Sequence, residues 1–189
     1  MHPIRWNKRR LLSVALSGIV FYLILSAKYN KFQAETVIKN HKPEDVWNFV
    51  ADFSKMKLLN PTIEEFRILK DHGNFNHWKY EVEYIERLSH WPYWKNANMG
   101  YFSVYKLPQE QGGEYVVDST HKTCFFAGLY CLKANGQFKF SNTHSLKDTQ
   151  VVETVQYQCP PFIGSLCRRE VEFQRKAIMD NLKLHFERK

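Results

Sequence analysis

"VIKNHKPEDVWNFVADFSKM", residues 37–56, decides the fold, because a β-like run leads directly into a helix that begins at a proline. Pro43 suits the first turn of a helix, where its missing N–H costs nothing, and two acidic residues follow where the helix dipole favours negative charge. The apolar side chains then recur at the spacing of one buried helical face: Val46, Phe49, Val50 and Phe53. The stretch therefore predicts a strand followed by a short amphipathic helix.

Strand-like runs and turns alternate between this helix and residue 158. The runs after residue 60 are "EEFRILKD" (64–71), "HWKYEVEYIERLSH" (77–90), "MGYFSVYKLP" (99–108), "EYVVDSTHKTCFF" (114–126), "LYCLKANGQFKFSN" (129–142) and "TQVVETVQYQ" (149–158). Because no helical pattern separates them, they predict an antiparallel sheet of about six to seven strands and exclude a parallel nucleotide-binding sheet. The sequence also has no Gly-rich phosphate loop and no internal repeat.

A long amphipathic helix is predicted from Gly164 to about Arg188. Its two apolar flanks consist of Leu166, Phe173, Ala177 and Leu184 on one side and Val171, Ile178, Leu182 and Phe186 on the other. A polar strip lies between the flanks: Glu170, Gln174, Asn181 and His185. The strip has two interpretations. Either the sheet or solvent supplies its hydrogen-bond partners, or it lines a cavity and holds the polar head of an apolar ligand.

The positive charge of the chain is concentrated at the N-terminus. The formal net charge is +8, but residues 1–33 contain six of the 27 Lys and Arg residues and no acid. The remaining body has 21 basic and 19 acidic residues and is nearly neutral. A nucleic-acid-binding domain would keep a basic stripe on the folded body, so no nucleic-acid partner is expected.

Residues 11–27, "LLSVALSGIVFYLILSA", contain no charged residue and predict a transmembrane signal anchor. The sequence thus divides into a basic cytosolic segment (1–10), the anchor (11–27), a linker (28–33) and a folded domain (34–189). The charge bias puts the domain in the lumen of the endoplasmic reticulum or secretory pathway, or outside the cell. A cleaved signal peptide and a mitochondrial inner-membrane sorting segment are the alternatives.

The order of elements resembles the START-like, or SRPBCC, superfamily over residues 34–188. The resemblance rests on a strand, the helix "PEDVWNFVADF", a helical turn ending in "NP", the antiparallel run, the "PPFIG" loop and the long last helix. This superfamily includes START lipid-transfer domains, coenzyme Q-binding proteins, pollen-allergen-type ligand carriers and polyketide cyclases. The resemblance implies an α+β helix-grip fold, in which a curved sheet wraps around the last helix and leaves a hydrophobic cavity. The anchor lies outside the family pattern.

The resemblance implies a binding protein for a lipid or another hydrophobic small molecule. The predicted anchor would hold it at a membrane, and a monomer is expected. The expected pocket residues are Gln174, Ala177, Ile178, Asn181, His185, Phe49, Phe53, Tyr80, Tyr84 and Tyr130. Trp91, Tyr93 and Trp94, in a predicted loop, are expected to contact membrane headgroups or a ligand. A cyclase-like enzyme that uses Glu170, His185 or His121 for proton transfer, and a domain that binds no ligand, are the alternatives.

No cofactor is expected. His121, His144, Cys124 and Cys131 match no common zinc spacing, and no base is placed to activate a cysteine, so neither a metal site nor a catalytic residue is predicted. In an oxidising compartment the four cysteines allow three pairings. A two-residue turn at Ala127-Gly128 favours Cys124–Cys131, and "PPFIGSL" lies between Cys159 and Cys167, which favours their pairing. Four reduced thiols are the alternative.

Overall fold

A computed structural model describes residues 8–74, 77–108, 110, 113–125, 128–143 and 147–188. Its helices are α1 (Lys8–Leu25), α2 (Pro43–Ala51), α3 (Phe53–Leu59) and α4 (Gly164–Glu187). Its strands are β1 (Lys28–Ile38), β2 (Ile63–Asn74), β3 (His77–Arg87), β4 (Lys95–Lys106), β5 (Tyr115–Phe125), β6 (Tyr130–Asn142) and β7 (Thr149–Cys159). A short 3-10 turn, Pro161–Ile163, connects β7 to α4.

The strands form one antiparallel sheet with the order β1-β7-β6-β5-β4-β3-β2. Strands β2 to β7 are neighbours in chain order, and β1 pairs with β7, so that Lys28 lies opposite Cys159 and Ile38 opposite Thr149. Residues 28–33, predicted as a linker, instead form the first half of β1, because each of them has a partner on β7. The seven strands confirm the predicted antiparallel sheet.

The alternation of side chains along the strands decides which face of the sheet is buried. On β7 the buried residues are Thr149, Val151, Glu153, Val155, Tyr157 and Cys159. Helix α4 buries Ile178, Met179, Leu182 and Phe186, and burying a side chain such as Leu182 stabilises the fold by about 2 kcal/mol. The long helix predicted at Gly164 is confirmed and packs together with the sheet in one core.

Helices α2 and α3 close one end of the sheet. The helix predicted through Phe53 is divided in two, because Asp52 has an extended backbone and its side chain accepts a hydrogen bond from the Ser54 N–H at 2.9 Å, which caps α3. Trp47 on α2 donates its ring N–H to the Val116 carbonyl at 3.0 Å. The Tyr80 hydroxyl donates to the carbonyl of Ala51 at 2.9 Å. These two bonds attach α2 to the inner face of the sheet.

Helix α1 differs from the predicted membrane anchor. It begins at Lys8 and ends at Leu25, so its 18 residues include three basic ones in the first turn, whereas the anchor was predicted over the uncharged residues 11–27. Ser26 and Ala27 lie outside it, because β1 begins at Lys28. No helix among the described residues has the length and apolar character needed to cross a membrane. The prediction of a transmembrane helix is therefore not supported.

Candidate functional site

A cavity of about 780 Å³ lies between the sheet and the first half of α4. Its walls are mostly apolar and include Phe53 and Met56 of α3, Phe102 of β4, Phe138 of β6 and Ile178 of α4. At one end the cavity reaches the surface between the connections that join β3 to β4, β5 to β6 and β7 to α4. A pocket of this size and character is typical of a site for a small apolar molecule.

An ion pair interrupts the apolar wall. The Arg175 Nη1 atom of α4 lies 2.5 Å from Glu153 Oε1 on β7, and Arg175 Nη2 donates to Gln174 Oε1 at 3.2 Å. The Glu153 side chain is 1% exposed and that of Arg175 is 20% exposed. Within the described residues, Arg175 Nε and Glu153 Oε2 have no hydrogen-bond partner. Two residues of the cavity wall thus have, among the described residues, one buried donor and one buried acceptor without a partner.

Burial acts on the protonation of both members of this pair. Burial raises the pKa of the Glu153 carboxyl, and the adjacent guanidinium counteracts part of that rise. Burial also acts to lower the pKa of Arg175, but the carboxyl groups of Glu153 and Glu86 outweigh this effect and leave the pKa above its ordinary value. The arginine therefore stays charged and keeps its Nε–H as a donor.

Two neutral groups in hydrogen-bond contact lie on the wall of the same cavity. The Tyr84 hydroxyl of β3 is 2.9 Å from His121 Nδ1 of β5. Burial, together with the charge of Arg175, lowers the pKa of His121 to about 3, so the ring is neutral near physiological pH. Burial raises the pKa of Tyr84 well above its ordinary value, with a smaller contribution from Glu86. Neither side chain changes its charge near neutral pH.

Glu86 at the end of β3 adds a buried carboxyl to the lining. Its Oε1 atom accepts hydrogen bonds from Thr62 Oγ1 at 2.6 Å and Asn60 Nδ2 at 3.3 Å. Burial raises its pKa, although these two hydrogen bonds and Arg175 act in the opposite direction. The carboxyl thus joins the start of β2 to the end of β3 next to the cavity.

Glu170 of α4 holds the connection between β3 and β4 against the helix. Its two carboxylate oxygens accept hydrogen bonds from the Ser89 N–H at 2.7 Å, the Ser89 hydroxyl at 2.8 Å and His90 Nδ1 at 3.0 Å. Burial acts to raise the pKa of Glu170, but these hydrogen bonds outweigh it and keep the pKa below its usual value. The adjoining Trp91 and Trp94 line the mouth of the cavity.

Five of the ten pocket residues predicted from the sequence line this cavity. They are Gln174, Ile178, Phe53, Tyr84 and Tyr130. They come from α4, α3 and the strands β3 and β6, so the structure brings together side chains that are far apart in the sequence. Their role in binding a ligand stays a prediction.

The other five predicted pocket residues lie elsewhere, because the second half of α4 packs against α2 and α3 and not over the cavity. Asn181 Nδ2 donates to the Leu59 carbonyl at 2.9 Å, and the His185 ring stacks on Phe49 with centroids 4.2 Å apart. The Tyr80 hydroxyl contacts α2, and Ala177 is not among the lining residues. Only the Glu170 and Gln174 end of the polar strip reaches the cavity.

Arg175 and Glu153 were missed as site residues, although each left a signal in the sequence. Arg175 is four residues after Val171 and three before Ile178, so it interrupts an apolar row of the helix. Glu153 occupies the inward position between Val151 and Val155 on β7. A charge in a row that is otherwise buried predicts a partner inside the fold, but the sequence alone does not say which one.

The cysteines lie at the mouth of the cavity, bonded as Cys124–Cys131 and Cys159–Cys167. The first bond joins directly opposed residues of β5 and β6, and the second joins the end of β7 to the start of α4. Cys124 and Cys131 are therefore not available as metal ligands in this state. His144, Phe126 and Ala127, which were considered above, lie outside the described residues. Within the described part of the chain, no three His, Cys, Asp or Glu residues are grouped to hold a metal ion.

Comparison with solved structures identifies the fold. An aromatase/cyclase, Zhui, from Streptomyces sp. R1128 superimposes with a TM-score of 0.59 at 13% identity, over 85% of this chain and 95% of that chain. A START superfamily protein from Mycobacterium smegmatis gives 0.56 at 12% identity, over 84% and 97%. Norcoclaurine synthase from Thalictrum flavum gives 0.55 at 10% identity, over 87% and 89%.

These similarities show a shared helix-grip fold, as predicted. No protein-family model matches the chain, and no curated protein matches its sequence.

Proposed function

We propose that this protein is a START-like carrier that binds an apolar small molecule bearing a hydroxyl group. The observation that carries the proposal is the mostly apolar cavity of about 780 Å³, which is lined by Arg175 and Glu153. Among the described residues, Arg175 Nε–H and Glu153 Oε2 have no hydrogen-bond partner. Ligand pockets combine such walls with a few placed polar groups. The fold shared with a START superfamily protein supports the assignment.

The unpartnered donor and acceptor on the two paired residues favour a hydroxyl head over an anionic one. A hydroxyl group accepts one hydrogen bond and donates another, so it satisfies Arg175 Nε–H and Glu153 Oε2 together. A carboxylate or phosphate head would accept from Arg175 but would be repelled by Glu153, with Glu86 and Glu170 also on the wall. A purely apolar molecule would leave both buried groups unsatisfied, which is costly.

The protonation states of the cavity side chains favour binding over catalysis. An efficient general acid or base has a pKa near the working pH. The pKa of His121 is about 3 and that of Tyr84 is raised far above neutrality, so this hydrogen-bonded pair is poorly suited to exchange protons with a ligand. Glu170, considered above as a catalytic residue, is engaged by Ser89 and His90.

A matched pair of competitors tests the proposed head group. The full-length protein is loaded with the neutral fluorescent dye Nile red, which is then displaced with dodecanol or dodecyl methyl ether. The ether keeps the acceptor oxygen but lacks the O–H that would donate to Glu153, so dodecanol should compete about tenfold better. Equal competition by the two compounds would contradict the hydroxyl assignment.

A cavity-filling variant tests the location. Ala134 lies on the cavity wall and Ala177 does not, so the two alanines make a matched pair. Ala134→Trp should abolish displaceable dye binding, whereas Ala177→Trp should retain it, with urea unfolding to verify that both variants fold. If Ala134→Trp folds and binds the dye as the parent does, the cavity is not the binding site. Native mass spectrometry of the purified chain would then show whether any small molecule is carried.

A further inference from the structure

Five apolar side chains line the cavity and are also exposed to solvent, which places them at its mouth. They are Phe21, Trp91, Trp94, Leu129 and Phe162. Tyr93, between the two tryptophans, is 98% exposed. These six residues, here called the mouth rim, come from α1 and from three different connections of the sheet. Segments far apart in sequence thus converge into one exposed apolar surface, which is uncommon unless the surface meets a partner.

The opposite end of the sheet does not share this feature. Its connections include 39–42, 107–114 and 143–148, and the described residues of these three segments include no exposed large apolar side chain. The turn between β2 and β3, residues 75–76, lies outside the described residues. Among the described residues of the connections, the exposed large apolar side chains therefore lie at the end where the cavity opens.

The mouth rim is attached to the fold by specific bonds. Glu170 holds Ser89 and His90, directly before Trp91. The disulfide Cys159–Cys167 joins the two elements on either side of Phe162. These bonds tie the segments that carry Trp91 and Phe162 to the helix and the sheet, which restricts the movement of these two rim segments.

Basic side chains lie on the elements that adjoin the rim. Lys28 at the start of β1, Lys133 on the cavity wall, and Arg168 and Arg169 near the start of α4 are all exposed. Arg168 is paired with Glu172 at 2.7 Å, but Lys28, Lys133 and Arg169 take part in none of the ion pairs of the described residues. An apolar centre with a basic margin is complementary to a surface of apolar chains under anionic headgroups.

We propose that the mouth rim docks on the surface of an anionic lipid bilayer, so that the cavity opens toward the headgroup region. Tryptophan and tyrosine suit this position because one end of the ring is apolar and the other is polar. The basic margin favours such a surface over an apolar patch on a second protein. In this orientation an apolar ligand passes between membrane and cavity without crossing water.

Vesicle binding by the full-length protein tests this proposal. The protein is mixed with vesicles of phosphatidylcholine alone or of phosphatidylcholine with phosphatidylserine, and the bound fraction is measured by flotation. We expect binding to the anionic vesicles that weakens in added sodium chloride. The triple variant Trp91→Ser, Tyr93→Ser, Phe162→Ser should reduce the partition coefficient about tenfold or more.

A matched triple variant serves as the control. Tyr101, Ile68 and Leu184 are also large, apolar and exposed, but they lie outside the rim. Their replacement by Ser should leave vesicle binding unchanged. No binding by the parent protein, or equal binding by the parent and the rim variant, would overturn the proposal. So would self-association in analytical ultracentrifugation that the rim variant abolishes without any vesicle binding, because the rim would then be an interface between two copies.

This result is separable from the ligand-binding function. Nile red binding without vesicles depends on the cavity wall at Ala134, and the preference for an alcohol competitor depends on the Arg175–Glu153 pair, whereas vesicle binding depends on the rim. Trp91 and Phe162 also line the cavity, so the dye test uses the single variant Tyr93→Ser, whose exposed side chain does not line it. This variant should keep dye binding and bind vesicles less tightly, which would support both proposals. Dye binding without vesicle binding by the parent protein refutes the docking alone, and vesicle binding without displaceable dye refutes the cavity function alone.

Discussion

Replacing Arg175 alone, and then Arg175 and Glu153 together, separates what the buried ion pair costs in folding from what it contributes to binding. Arg175→Met removes the cation and leaves the Glu153 carboxyl, whose side chain is 1% exposed, without its partner. Breaking a buried pair in this way costs several kcal/mol, whereas replacing both members by apolar residues of similar volume is often neutral or stabilising. The double variant Arg175→Met, Glu153→Leu is therefore the informative comparison.

The structure places the expected loss of unfolding free energy near the lower end of the range for a broken buried ion pair. The uncompensated carboxyl of Arg175→Met can take up a proton, and the Arg175 side chain itself is 20% exposed to the cavity. We expect Arg175→Met to lower the free energy of unfolding by about 3 kcal/mol at neutral pH. The double variant should lie within about 1 kcal/mol of the parent.

The loss in Arg175→Met should depend on pH. Burial raises the pKa of Glu153 above its ordinary value of 4.5, and Arg175 is the residue that counteracts this rise. Without Arg175 the pKa of Glu153 therefore rises further. The folded state then holds its proton more tightly than the unfolded state, so stability falls as the pH rises above 4.5, until the folded-state pKa is passed. The variant should therefore lie closer to the parent in mild acid than at neutral pH.

Urea unfolding of the parent, Arg175→Met and the double variant, followed by circular dichroism, measures the stability, and Nile red displacement measures the binding. The double variant should fold as well as the parent and still bind dye, but it should no longer distinguish dodecanol from dodecyl methyl ether. Two results would refute the reasoning. One is an Arg175→Met variant as stable as the parent, and the other is a folded double variant that keeps the preference for the alcohol.

Three further perturbations have defined outcomes. Glu170→Gln should lower the free energy of unfolding by about 2 kcal/mol at neutral pH. The pKa of Glu170 in the folded state lies below 4.5, so only the ionised carboxylate is stabilised. The difference between parent and variant in urea unfolding should therefore vanish as the pH falls through that pKa. The double variant Cys159→Ser, Cys167→Ser should lower the free energy of unfolding by about 2.5 kcal/mol in thermal or urea unfolding, since the bond closes a short loop with a sequence separation of 8. A variant as stable as the parent, together with four alkylatable thiols in non-reducing peptide mapping of the parent, would show that the bond is absent. Gly100→Ala places a Cβ 2.8 Å from Phe102 Cε2, so it should destabilise by about 2 kcal/mol, whereas an unchanged unfolding midpoint would mean that Phe102 moves freely.

The predicted fold was confirmed, whereas the predicted transmembrane helix was not supported. The apolar character of residues 11–27 is evident in the sequence, but where a helix begins and ends depends on neighbouring elements. Here Lys28 pairs with β7, so the helix stops at Leu25, and its start extends back to Lys8. The compartment and the side of the membrane stay predictions, and so does the monomeric state.

The sequence by itself determined the order and type of the elements. The period-2 pattern of the strand runs and the Pro43 signal act over a few residues, and the observed sheet, α2 and α4 follow from them. For α4 the sequence also determined which residues were apolar or polar around the helix. Local backbone preferences and side-chain spacing contain this information because both are set by neighbours in the chain.

Only the tertiary structure decided what each face of α4 contacts. The helix is longer than the cavity, so α2 and α3 cover the half that carries Asn181 and His185, while Gln174 and Arg175 remain beside open space. The partner of Arg175 is 22 residues earlier in the sequence, on a strand whose inward glutamate has no local reason to be buried. Periodicity specifies which way a side chain points from its own element, but the distance to a charge on another element is set by how the elements pack, and that packing creates both the ion pair and the cavity.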